Sequence, residues 1–214
     1  IAKDRQTKFS FNNYLNPSII TIPQYNFRLG YYFQKNWDIS FGVDHMKYVV
    51  KQNQTVSIDG YIENTPTVYN NQYSDEKIEL TKDFLKFEHT DGLNYMYLEF
   101  ARVDDISAIF HIENTDKIQV NFTEGIGGGI LYPKTNTALL QKDRYDAFHL
   151  AGYGVSINAG LNLTFFKHFF IEADLKGGYI DMPDIRTTMN TTDSASQHFF
   201  YLQRILSVGG IFRI

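Results

Sequence analysis

The chain has 214 residues, a net charge of −4 from 20 Lys and Arg against 24 Asp and Glu, and no cysteine. That length suits one domain, read here as 1–214, and the charge offers no basic patch for nucleic-acid phosphates. Without thiols there is no disulfide scaffold, no thiolate nucleophile and no Cys-ligated metal. The chain instead carries 18 Phe and 15 Tyr. Its mean hydropathy is −0.31, and no run approaches the roughly 18 apolar residues of a membrane helix. An average of this kind cannot see a β-barrel, in which half of each strand and every outer loop is polar.

In chain order, Lys8 to Leu15 alternates Phe9 and Phe11 with Lys8, Ser10 and Asn12, which predicts a first strand, and Pro17 and Pro23 bracket a loop. From Tyr25, the residues Phe27, Leu29, Tyr31 and Phe33 face one way and Asn26, Arg28, Gly30 and Tyr32 the other, which turns Arg28 inward. After a turn at 34–36, Trp37, Ile39, Phe41 and Val43 oppose Asp38, Ser40, Gly42 and Asp44. The polar stretch 51–92 reads as one long extracellular loop. A returning strand is predicted from Asn94 to about Phe110. Its parity puts Arg102 and Asp104 on the apolar face, which predicts a bulge near Arg102 or an early end. Ile118, Val120 and Phe122 begin the next strand. There Glu124 falls on the wrong face, and the GIGGGILY run after it predicts a bulge or a constriction where Gly permits close approach. Polar connections follow at 133–147 and 183–197, on either side of a long hairpin.

That hairpin organises the rest. Ala151, Tyr153, Val155, Ile157, Ala159, Leu161, Leu163 and Phe165 alternate with Gly152, Gly154, Ser156, Asn158, Gly160, Asn162 and Thr164. After Lys167 and His168, Phe169, Ile171, Ala173 and Leu175 oppose Glu172, Asp174 and Lys176. A soluble barrel or sandwich with an oily interior would show the same period. Its water-facing side would be rich in Lys and Glu, however, whereas the polar face of the first strand carries no charge. Small polar side chains suit a crowded interior, and Phe165, Phe166, Phe169 and Phe170 at the turn suit a membrane-interface girdle. A last strand is predicted from about His198 to Ile214. The expected fold is all-β: a closed antiparallel transmembrane β-barrel of about eight strands, with short periplasmic turns and long extracellular loops. At that size side chains fill the interior, so no open pore is expected.

With its C-terminal SVGGIFRI, the chain resembles the small eight-stranded outer-membrane barrels, the group of the OmpX-like proteins, the OmpA membrane domain and the lipid A deacylases. The segments GVDHMKYVV, NQTVSIDGYI, EHTDGLNY, GGILYPKT, FHLAGYG and FFKHFFIEADLKGGY are similar to an uncharacterised Bacteroidota outer-membrane family. The resemblance implies a mature chain whose signal peptide has been removed, residing in the cell outer membrane of a Gram-negative envelope. The partners it implies are outer-membrane lipid and lipopolysaccharide, and another outer-membrane protein in a larger complex. It brings no established activity and no cofactor.

Arg28, Glu99, Glu172, Asp174 and Lys176 are the expected interior charge network, since buried ions must be paired. Asp44, His45, His89 and Asp91, with Lys47 and Glu88 beside them, form a candidate cluster at the loop base. Two His-acid pairs there could bind a metal or act as a base, but parity turns Asp44 inward and His45 outward, so no metal or catalytic site is assigned. A deacylase needs a Ser beside a His with an acid to orient it. This chain has no His-X-Ser, and His149 lies seven residues from Ser156. The expectation is therefore a non-enzymatic barrel acting through its outer loops, with a lipid A-modifying hydrolase as the alternative. Asp193-Ser194-Ala195 resembles the Bacteroidota O-glycosylation signal, which marks Ser194.

Overall fold

The computed structural model describes residues 2–5, 7–19 and 23–213, and among these twelve strands form two antiparallel sheets. The strands are β1 (Ala2–Asp4), β2 (Tyr25–Gln34), β3 (Trp37–Val50), β4 (Gln54–Ile62), β5 (Asn71–Leu80) and β6 (Leu85–Asp105), followed by β7 (Ile118–Leu131), β8 (Lys134–Leu139), β9 (Tyr145–Phe148), β10 (Gly152–Phe165), β11 (Phe169–Arg186) and β12 (Ser194–Gly210). Seven long strands run β2-β3-β6-β7-β10-β11-β12 across the main sheet, each antiparallel to the next. Among the described residues the ladder does not close between β2 and β12, and the strands number twelve rather than eight.

The β10–β11 hairpin forms where alternation predicts it, with Phe165 opposite Phe169. Phe166 and Lys167 take left-handed backbone angles in the turn (φ 52° and 63°). The two faces are unlike. Val155 is 52% exposed, Ile157 67%, Leu161 50% and Leu175 49%, while Asn158 is 7% and Asp174 9% exposed. One face of the sheet is thus apolar and exposed and the other polar and buried.

Contacts across the interior show that the sheet curls. β3 and β11 lie four steps apart in the ladder, about 19 Å if the sheet were flat. Yet Lys176 on β11 reaches Asp44 on β3 at 2.7 Å. Glycine makes room for the large rings that fill this space. Tyr97 lies over Gly42 and Tyr95 over Gly154, where an added Cβ would fall 2.2 Å and 2.9 Å from ring carbons.

Several expectations are corrected. Lys8 to Leu15 is not a strand: Ser10 caps a short helix, α1 (Phe11–Leu15), its Oγ accepting from the Asn13 amide at 3.1 Å. The stretch 51–92 is ordered. It holds the separate β4–β5 hairpin and the first residues of β6, which begins at Leu85 rather than Asn94 because Leu85 to Glu88 pair with β8. The 133–147 connection contains β8 and most of β9, and the last connection shrinks to 187–193. There is no bulge at Arg102 or in the glycine run, since Arg102 pairs with Glu124 in a register unbroken to Leu131. Arg102 instead sits near the short-turn end of β6, bonded to Asp104 at 2.8 Å with Trp37 beneath it. The register shifts fall between Tyr32 and Gln34, Met46 and Tyr48, Ile58 and Gly60, and Met182 and Ile185, the last spanning Pro183, which cannot donate to a ladder. The last strand ends at Gly210, and Ile214 lies outside the described residues.

Candidate functional site: a charged interior and a long-loop end

The interior faces of β2, β3, β6 and β11 bring five predicted residues together. Arg28 donates to Glu99 at 3.1 Å and to Glu172. Asn162 donates to the other Glu172 oxygen at 2.7 Å, and the Thr123 hydroxyl lies 3.5 Å from Asp174. Lys176 donates to Asp44, whose second oxygen accepts from Asn26 at 2.6 Å. The ammonium also stands 3.3 Å from the centre of the Tyr97 ring. A cavity of about 40 Å³ remains among Asn26, Arg28, Glu99, Asn158, Asp174 and Lys176. It has room for a few water molecules only, so the charges form a plug. Asp44 belongs to this network rather than to the loop base. Its inward parity is the sequence signal for that, and Asn26 and Asn162 share it, although parity does not say which partner each one meets.

At the long-loop end the other candidates have separate partners. The His45 ring stacks on Tyr25 at 4.6 Å, with Nδ1 2.8 Å from Asn94 Oδ1. His89 is buried with Nδ1 3.2 Å from the Thr135 hydroxyl and the Phe87 ring against its edge. Asp91 lies 3.8 Å from Lys134 and 3.9 Å from Arg144, and Glu88 accepts from Asn136. Among the described residues no three His, Asp or Glu are grouped to hold a metal ion. His149 Nε2 lies 3.0 Å from Asp184, a pairing that sequence spacing does not reveal. Ser194 is exposed as the first residue of β12, and the neighbouring Asp193 accepts from the Thr188 hydroxyl at 2.7 Å.

Burial pushes the His89 imidazole down to about 4, against about 6.5 in an unfolded chain. His89 therefore stays neutral when folded and takes up a proton when exposed. The stability it confers is complete above about pH 6.5 and is lost as pH falls towards 4, by about 2 kcal/mol at pH 5. Amides of 85–90 and 134–139 are expected to exchange faster at pH 5 than at pH 7, after correction for intrinsic rates. His89→Gln should remove that difference.

No protein-family model, curated protein or solved structure matches this chain.

Proposed function

We propose that the chain is an integral outer-membrane β-barrel, closed by about eight strands, that works as an interaction protein through its long-loop end, as an accessory subunit of a larger complex. The observation that carries this reading is the outer face. Phe27, Leu29, Phe41, Leu98, Ile126 and Ile157 are all exposed across neighbouring strands, an apolar surface far larger than a water-facing protein tolerates. From Tyr153 to Phe165 the exposed side of β10 rises about 30 Å at ordinary strand tilt, which suits a hydrocarbon core. The plugged interior argues against conduction. The β4–β5 hairpin, a sheet of its own, is the natural arm for a partner.

The hydrolase alternative rests on one observation, the His149–Asp184 pair, which could orient an imidazole towards a hydroxyl. One comparison separates the two readings. Native mass in mild detergent and lipid A mass spectra are taken from cells with the whole protein, with residues 54–80 deleted, and without the protein. An interaction protein gives a species heavier than the same protein after full denaturation, one that is lost with the arm, and an unchanged acyl pattern. Altered lipid A acylation that disappears with His149→Ala would overturn that reading in favour of the hydrolase.

A further inference from the structure

Six antiparallel steps separate β2 from β12, so the two edges of the curled sheet run in the same direction. They cannot meet as antiparallel neighbours, and among the described residues they share no ladder. One strand antiparallel to both would complete the sheet. We infer that the seam between β2 and β12 is the seat of one additional β-strand of about ten residues, running opposite to both edges and supplied by polypeptide outside residues 1–214. This rests on the barrel reading above and adds its missing stave.

Three further observations describe that occupant. Arg28 on β2 touches Glu172 on β11, next to β12, so the two edges stay within side-chain reach of each other and the seam suits a single strand. The edge positions facing out are Phe27, Leu29 and Tyr31 on one side and Leu202, Arg204, Leu206 and Val208 on the other, which calls for apolar residues at alternate positions with an acceptor beside Arg204. Inside, Asp38, Asp44, Glu99, Glu172 and Asp174 face only Arg28 and Lys176 among the described residues. On β12 the Gln203 Oε1 is buried without a hydrogen-bond partner among the described residues. The strand's inner face is therefore small and polar with one Lys or Arg, which moves the interior towards balance. At the long-loop end the two sides already meet, since β1 pairs with Tyr48 to Val50 of β3 and the Tyr48 and Phe199 rings lie 5.0 Å apart, so the strand reaches no higher than the start of β2.

Its test uses the whole protein in its own membrane. Cysteines replace Leu29 and, one at a time, Leu202, Leu206 and Val208, with Leu161→Cys/Ala173→Cys as the neighbouring-strand control. An intervening strand holds the edges about 9.5 Å apart, beyond the roughly 7 Å that a disulfide spans. Oxidation should link the control pair and none of the seam pairs. p-Benzoylphenylalanine placed at Leu29 and, separately, at Leu206 should then capture the same peptide, alternating and with an inward base. A seam disulfide in any register would overturn the strand by showing direct parallel closure, while leaving the membrane reading intact. Unrelated peptides at the two positions would overturn it too.

Discussion

Lys176→Met is expected to destabilise the protein by about 3–5 kcal/mol, the usual cost of leaving one member of a buried ion pair behind. Lys176 and Asp44 are 2% and 0% exposed, and their 2.7 Å contact joins β11 to β3 across the interior. Without the ammonium, Asp44 keeps the Asn26 amide and the Tyr97 hydroxyl but no counter-ion in contact among the described residues. Lys176→Met combined with Asp44→Asn should recover most of the loss, because no ion is then left without a counter-ion. Urea unfolding in lipid vesicles measures both, with Trp37, the one tryptophan, as the probe. Losses that simply add in the double variant would show that the two charges do not depend on each other.

Arg28→Met is expected to cost a comparable 3–5 kcal/mol by a different route. One guanidinium serves two carboxylates on different strands, Glu99 on β6 and Glu172 on β11. Its loss leaves three neighbouring acids, Asp174 included, without their shared cation. Arg28→Lys should restore only part of the stability, since the compact ammonium lacks the planar fork that sets separate donors on Glu99 and Glu172. Arg28→Met with Glu172→Gln should restore more than Arg28→Met with an exposed acid such as Glu124→Gln. Full rescue by Lys would mean that charge alone matters and the fork does not.

These two pairings show where sequence stops. The faces of β10 and β11 are legible because a period of two persists through Phe165 and Leu175, while Gly, Ser and Asn occupy one side without charge. From those faces follow the inward direction of Glu172, Asp174 and Lys176, and, from the next strands, of Arg28, Glu99 and Asp44. Which inward charge meets which is not legible. Lys176 and Asp44 lie 132 residues apart and Arg28 and Glu172 lie 144 apart, so each pairing needs the registers of several ladders at once. Local chemistry misleads near the N-terminus, where Phe9 and Phe11 alternate like a strand but Ser10 is also a good helix cap. Above the apolar belt the two-sided contrast fades, which hides the start of β6 at Leu85, the strands β8 and β9, and the His149–Asp184 contact. Arg102 marks the opposite end: an outward charge that looks like a register error is a residue beyond the belt, held by Asp104 and Trp37.

The central claim is that the oily outer face meets hydrocarbon. A fluorophore attached at Ile157→Cys, with Leu161→Cys and Leu175→Cys as companions, reports its surroundings directly in reconstituted vesicles. Hydrocarbon contact requires quenching by lipids brominated along their acyl chains and none by aqueous iodide at all three positions. Quenching by iodide without quenching by brominated lipid would place these side chains in water and contradict the account.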